Sequence, residues 1–277
     1  MRTTIAQMAK APSEIDEDDF NYFQNKLSTL AGIYLKESKI DLLKSRLSHR
    51  LMALSLVNYK DYRLYLESID EEHEEWQLFI NTLTTNKTSF FREMKHFDYL
   101  IKHILPHYDL NKKITIWSAP CSTGEECYSL AMSITHHFPQ LQFEIIGSDI
   151  DTLVLEKAKN AVYPISSIED IPSYLRTYIQ EGKNNLSPWF RINPEIKNKV
   201  SFLKINLLND KFDTLNEFDI IFCRNLLIYF QKNDIEKMTN KFTQVAKKQS
   251  FLFISHSENI QNLNHPWKMI APSVYKR

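Results

Sequence analysis

Apolar residues recur at helical spacing through the first third of the chain. Phe20, Phe23, Leu27 and Leu30 fall on one face of a helix that Asp19 is placed to cap. Ile40, Leu43, Leu47 and Leu51 repeat the pattern over 38–54, while Lys44, Arg46 and Arg50 point elsewhere. Two further helices are predicted over 59–68 and 74–83. Residues 19–85 therefore read as a small all-helical domain. It follows a flexible leader over 1–18 that runs into an acidic stretch, 14–19.

The period then changes. TTNKTSFFRE (84–93) is polar, then doubly aromatic, then charged, and a helix is expected over 96–108. Beyond it come a buried strand at 114–121, a helix at 124–138 closed by Pro139, a strand at 143–150 and a helix at 152–160. Strand alternating with helix predicts an α/β domain with a parallel sheet, here assigned to 86–277. Residues 161–199 interrupt it with Pro164, Pro172, Pro188, Pro194 and Gly182, and read as an insertion with short elements of its own. Strands at 200–208 and 218–225, a helix at 234–247, a strand at 250–257 and a last edge strand in PSVYKR complete the pattern.

Composition removes several classes. With 43% hydrophobic and 25% charged residues the chain is an ordinary globular one. Lys+Arg and Asp+Glu are equal at 34, so the global basic excess of a nucleic-acid binder is missing. Four glycines in the whole chain leave little for a glycine-rich phosphate loop. Three cysteines without a CxxC pair argue against a disulfide framework and a zinc site; no metal is expected. No apolar run of about 18 residues appears, and the N-terminus lacks a signal-peptide core. A monomeric cytoplasmic protein without membrane insertion is the expectation.

Candidate chemistry gathers where strands end. The turn Cys121-Ser122-Thr123-Gly124 lies between a strand and a helix, at the sheet edge where α/β proteins bind ligands. Glu125 and Glu126 follow it. They would repel a pyrophosphate and suit a ligand with a cationic end, or they simply complement the helix dipole. Asp149 and Asp151 end the next strand, roughly 20 residues later, where an acid commonly binds ribose hydroxyls. Asp149 is assigned to ribose and Asp151 to capping the following helix. FDIIFCRNLLIYF delivers Arg224 and Asn225 to the same edge, with Tyr229 a turn later as a site residue or a packing one. A buried arginine there asks for a carboxylate partner. A nucleoside ligand without a phosphate cradle favours an S-adenosylmethionine-dependent methyltransferase over a dehydrogenase or an ATPase.

TTNKTSFFRE, WSAPCSTGEECYS, GSDIDTLVLEKA, INLL, FDIIFCRNLLIYF and ISHSEN occur in this order. Together they resemble the motifs of the chemotaxis receptor methyltransferases, the CheR-type family, from about residue 20 to the end. The resemblance implies a Rossmann-like S-adenosylmethionine-dependent methyltransferase domain, a helical N-terminal domain and a small inserted β-subdomain. It implies transfer of methyl to glutamate side chains on the cytoplasmic helical region of methyl-accepting chemotaxis receptors, giving methyl esters and S-adenosylhomocysteine. Asn86, Thr88 and Arg92 would contact the cofactor, Glu126 its amino end and Asp149 its ribose. Asn206 and Leu207 would flank adenine, and Asn225, with Arg224, would line the pocket. Arg92 and Tyr229 match residues near the transferring methyl group. The basic residues Lys36, Lys39, Lys44, Arg46 and Arg50 form either a solvated face or a docking face for an acidic receptor helix; Lys44, Arg46 and Arg50 are its docking candidates.

Three positions depart from the family pattern. Cys127 stands where proline is usual, Ala161 where glycine often precedes tyrosine, and Ser255 where the GHSE motif has glycine. All three are expected at packing or backbone positions and not as cofactor contacts. Two other classes fit parts of the pattern. One is a module that binds cofactor and receptor without turnover, against which the presence of Arg92 and Tyr229 speaks. The other is a small-molecule methyltransferase, which leaves the helical unit and the insertion unexplained.

Overall fold

The computed structural model describes residues 14–212, 215 and 217–277. They form two compact units, divided between Thr84 and Thr85.

The first unit holds helices α1 (Glu17–Ala31), α2 (Ile40–Leu54), α3 (Tyr59–Ser68) and α4 (Glu74–Leu83). The expected leader lies outside the described residues up to position 13. From there the expectation fails, because Ile15 is buried and α1 already begins at Glu17. Asp16, not Asp19, caps this helix; its Oδ1 accepts the Asp19 amide at 2.7 Å. Asp19 is instead buried and ion-paired to Arg63 at 2.8 Å. Gly32 closes α1 in the left-handed conformation, φ 71°, which only glycine adopts without a Cβ penalty. The apolar faces meet around Phe23, Tyr62 and Phe79, whose ring centroids are 5.7–6.5 Å apart.

The second unit begins with α5 (Lys95–Tyr99). The predicted 96–108 helix is broken into this turn, a π-helical turn at Leu100–Ile104 and a 3-10 turn at Leu105–His107. Then follow β1 (Ile114–Ser118), α6 (Glu125–His137), β2 (Phe143–Asp149) and α7 (Thr152–Asn160). The insertion contributes β3 (Val162–Pro164), β4 (Ile179–Glu181) and β5 (Trp189–Ile192), an antiparallel sheet in the order β3-β5-β4. After α8 (Pro194–Lys197) come β6 (Val200–Lys204), β7 (Phe218–Phe222), α9 (Lys232–Val245), β8 (Ala246–Phe253), β9 (Lys268–Ala271) and β10 (Val274–Lys276).

The main sheet runs β6-β2-β1-β7-β8-β10-β9. The first five strands are parallel; β10 is antiparallel to both β8 and β9. The tail strand is therefore interior, and β9, which the sequence pattern did not reveal, is the edge. Strand β8 starts four residues before its expected position, directly after α9. Ala246 pairs with Phe218, and Lys247 bonds Asp219 at 2.7 Å, so the residues expected to end the 234–247 helix instead begin the strand.

Side chains alternate across the sheet. Ile114, Ile116, Ile220 and Phe222 enter a core with α6 and the inserted sheet. Trp117 and Ile221 enter the other core, with α9, joined by Phe218, where the register with β8 shifts. Chain order reverses around β1, which has β2 on one side and β7 on the other. The carboxyl ends of these three strands make the crevice where such folds bind ligands.

Candidate active site

The β1–α6 turn is built around Gly124, whose φ of 95° no L-residue adopts comfortably. A Cβ there would lie 2.9 Å from that of Ala158, so the glycine also lets α6 start against α7. Ser122 is tied on both sides. Its amide donates to Asp149 Oδ2 at 2.9 Å and its hydroxyl to the carbonyl of Asn86 at 3.0 Å.

Asp149 is nearly enclosed, and its other oxygen accepts the Asp151 amide at 3.0 Å. Burial outweighs these hydrogen bonds and raises its pKa to about 6. The carboxylate assigned to ribose thus also braces the β1–α6 turn. Asp151 caps α7 as expected, accepting the Leu153 and Val154 amides, and its second oxygen takes the Asn86 side-chain amide at 2.6 Å. The 86–93 loop is in this way fastened to the ends of β1 and β2.

The two glutamates of the turn diverge. Glu126 accepts from Ser118 at 2.7 Å and from Arg224 at 2.7 Å. Glu125 takes the Thr123 hydroxyl at 2.6 Å and lines a separate groove of about 970 Å³. That groove is walled by Tyr163, Gln180 and Trp189 of the insertion, and none of the candidate cofactor residues lines it.

Arg224 is the buried partner-seeking arginine the sequence suggested, with two carboxylates. Beyond Glu126, its guanidinium lies 3.4 Å from Glu93 Oε2 and donates to the carbonyl of Arg92. Its side chain is 2% exposed, so it acts as a strut between loops rather than as an open pocket wall. Glu93 was not singled out from the sequence, yet it joins more of the site than any candidate. Its Oε1 accepts from Ser255 at 2.7 Å and Asn225 at 3.3 Å, and its Oε2 from the His256 amide at 3.2 Å. Burial pushes its pKa up, but Ser255, Arg224, the His256 amide and Asn225 together win and hold it at about 2. Glu258, also missed, accepts the amides of Ser255, Asn225 and Leu227 at 2.8–3.1 Å. It thereby shapes the loop that leads to Tyr229. Phe91, Glu93, Ser122 and Asn225 all have φ between 48° and 58°, left-handed conformations that cost energy in non-glycine residues and cluster here.

Arg92 and Tyr229 are half-buried at this edge. Arg92 bonds the carbonyl of Lys87 at 2.6 Å. Asn206 caps its own turn, accepting the amides of Leu208 and Asn209, and Leu207 is buried beside Ile146 and Ile205. Among the departures from the family pattern, Cys127 is core packing and Ala161 is a left-handed helix end at φ 58°. Ser255 departs from the packing or backbone role expected of it, because its hydroxyl bonds Glu93 and Asn225.

Glu93, His96 and His256 bring ligand atoms within 4.8 Å of one another. The Arg224 guanidinium beside the same carboxylate oxygen opposes a cation there. Burial, then Arg224 and His256, hold the pKa of His96 down at about 3.

In the helical unit, the docking candidates do not share one role. Arg50 makes a two-pronged bond to buried Glu75, at 2.6 and 2.9 Å, which also accepts from Tyr62. Arg46 donates to the carbonyls of Leu83 and Thr84. Lys44 has only a long contact to Asp41, at 3.9 Å. The basic face is therefore narrower than the sequence suggested, because two of its members are bound inward.

The strand-end crevice presents Glu126 and Asp149, with Arg224 neutralised by two carboxylates, which fits a phosphate-free nucleoside with a positive end. Comparison with known proteins agrees. Residues 86–275 match the family described as CheR methyltransferase, SAM binding domain, and residues 18–84 match CheR methyltransferase, all-alpha domain. The chain is 38% identical over 248 residues to the chemotaxis protein methyltransferase of Salmonella typhimurium, covering 88% of this chain and 85% of that one. It is 36% identical to chemotaxis protein methyltransferase 2 of Pseudomonas aeruginosa, covering 93% and 92%. It is 37% identical to the chemotaxis protein methyltransferase of Borreliella burgdorferi, covering 89% of each. The chain belongs to the CheR methyltransferase family and is an S-adenosylmethionine-dependent chemotaxis protein methyltransferase.

Proposed function

We propose that this enzyme methylates glutamate side chains in the helical cytoplasmic region of chemoreceptors, forming glutamate methyl esters in chemotactic adaptation. One observation carries the reading. Of the two arginines at this edge, Arg224 after β7 is neutralised by Glu93 and Glu126, whereas Arg92 of the 86–93 loop bonds a neutral carbonyl and pairs with no carboxylate among the described residues. A guanidinium left uncompensated beside the crevice suits an incoming carboxylate, which it can hold by two parallel hydrogen bonds.

The cofactor, when bound, supplies the activated methyl on its sulfonium. Asn86, Thr88, Glu126, Asp149, Asn206, Leu207 and Asn225 are the proposed holders. Arg224 supports them through Glu126 and the Arg92 carbonyl. A glutamate side chain is ionised at neutral pH, so no base is required of the protein. Arg92 orients that carboxylate and the Tyr229 hydroxyl fixes it; both act by alignment, since a grip equal in ground and transition states gains nothing. Docking of an acidic receptor helix falls to exposed Lys36 and Lys39 with Lys44.

Mass spectrometry of a chemoreceptor cytoplasmic fragment after incubation with enzyme and S-adenosylmethionine tests this. Methyl groups on specific glutamates are expected, and their loss with Arg92→Ala. Modification confined to other residue types would refute the reading.

A further inference from the structure

We propose that Ser255 is a positioning residue: its hydroxyl, with Glu93, turns the Asn225 side-chain amide so that the carbonyl oxygen is offered to the cofactor. The inference rests on the reading that Asn225 lines the cofactor site, and adds which atom it presents and what sets the choice.

Three groups stand in line. Asn225 Nδ2 lies 2.7 Å from Ser255 Oγ, and Ser255 Oγ lies 2.7 Å from Glu93 Oε1. The amide nitrogen also reaches Glu93 Oε1 directly, at 3.3 Å. An amide nitrogen can only donate, and an ionised carboxylate can only accept. A serine hydroxyl has one proton and spare lone pairs, so here it accepts from Asn225 and donates to Glu93. With that proton on Glu93, the Ser257 hydroxyl, 3.2 Å away, can only donate to Ser255 Oγ, and every direction along the chain is fixed. Rotating the amide by half a turn would set its oxygen against the carboxylate oxygen. It would also force the hydroxyl to abandon one partner.

The anchors at either end are firm. Glu93 is kept ionised by Arg224 and by the His256 amide, which bind its other oxygen. The Asn225 backbone is held at φ 58°, with its amide on Glu258 at 3.1 Å. With the backbone set, the remaining freedom of Asn225 is side-chain rotation, and Ser255 removes it. The Asn225 nitrogen faces inward on two acceptors, so the oxygen faces the other way, on a residue that is only half-buried. An oxygen so placed accepts from an ammonium or hydroxyl of a nucleoside bearing an amino-acid tail. Ser255 stands where the family pattern has glycine, so this hydroxyl is a feature of this chain rather than of the motif.

Calorimetric binding of S-adenosylhomocysteine to the full chain tests the inference through a double-mutant cycle. Ser255→Ala keeps the backbone amide bond to Glu258 and removes only the hydroxyl. Asn225→Gly removes the side chain while accepting the left-handed backbone. Ser255→Ala should weaken binding about 5- to 10-fold, the scale of one orienting hydrogen bond. In the Asn225→Gly background the same change should have no effect. Unaltered binding by Ser255→Ala, or an equal loss in both backgrounds, would overturn the inference while leaving the cofactor reading intact. A wild-type chain that does not bind S-adenosylhomocysteine would overturn both.

Discussion

At the residue scale, the site is a set of charges that burial would penalise unless each had partners. Arg224 is held between Glu93 and Glu126, and Glu258 takes three backbone amides. Such sites are sensitive to the loss of one member. They also set the acid response. His96 is kept neutral in the fold with a pKa near 3, against 6.5 when exposed. The unfolded chain therefore takes up the proton first, and this contribution to stability is complete above pH 6.5 and is lost as pH falls from 6.5 towards 3. Glu93, lowered from 4.5 to about 2, adds a second loss between those values. Asp149, raised from 3.8 to about 6, works the other way, its penalty easing as pH falls from 6 to 3.8. The groups facing His96 are Glu93, Arg224 and His256, with the Phe253 ring 5.6 Å away. His96→Phe should flatten the decline in urea midpoint between pH 6.5 and 4.5. An unchanged decline would show that His96 does not govern it.

Single residues also marked the limit of the sequence. Glu126, Asp149, Asn225 and Arg92 could be proposed as site residues from the sequence because each ends a strand or lies in a distinctive motif. Glu93 and Glu258 were not singled out, because their work is to bind backbone amides, hydroxyls and an arginine from distant segments. Glu93 to Ser255 spans 162 positions, and no local spacing announces such a pair.

At the element scale, helices and buried strands were legible from their periods. The 59–68, 74–83 and 152–160 helices coincide with α3, α4 and α7. The failures have physical causes. Asp19 looked like a cap but sits inside the first turn of α1, where Arg63 compensates it. The start of β8 read as the end of the 234–247 helix, because the charge that lets Lys247 join the strand, Asp219, lies on the neighbouring strand. The strand β9 has an exposed, mixed pattern that carries no periodic signal. The turn before α6 depends on Gly124 in two ways, through its positive φ and through the contact with Ala158. Gly124→Ala should therefore destabilise the fold by about 2 kcal/mol or more, read from urea unfolding. A wild-type midpoint in that variant would contradict the tight packing of α6 on α7.

At the scale of the whole molecule, the helical unit and the methyltransferase unit each keep their own core and their own charge logic. Among the described residues no helix is long and apolar enough to cross a membrane. With Arg46 and Arg50 bound inward, the docking proposed for a receptor helix would rest on Lys36, Lys39 and Lys44. Reversing all three to glutamate should raise the KM for receptor several-fold and steepen no dependence on S-adenosylmethionine, because exposed charges act on encounter. Equal changes in both KM values would place the effect in the fold rather than in docking. The chemistry of the acceptor is the central claim. Incubation with methyl-labelled S-adenosylmethionine and receptor-containing membranes, followed by mild alkali, measures it most directly. The account predicts label on a receptor band that is released as methanol, the signature of a carboxyl ester. Label that stays on the protein in alkali would contradict it.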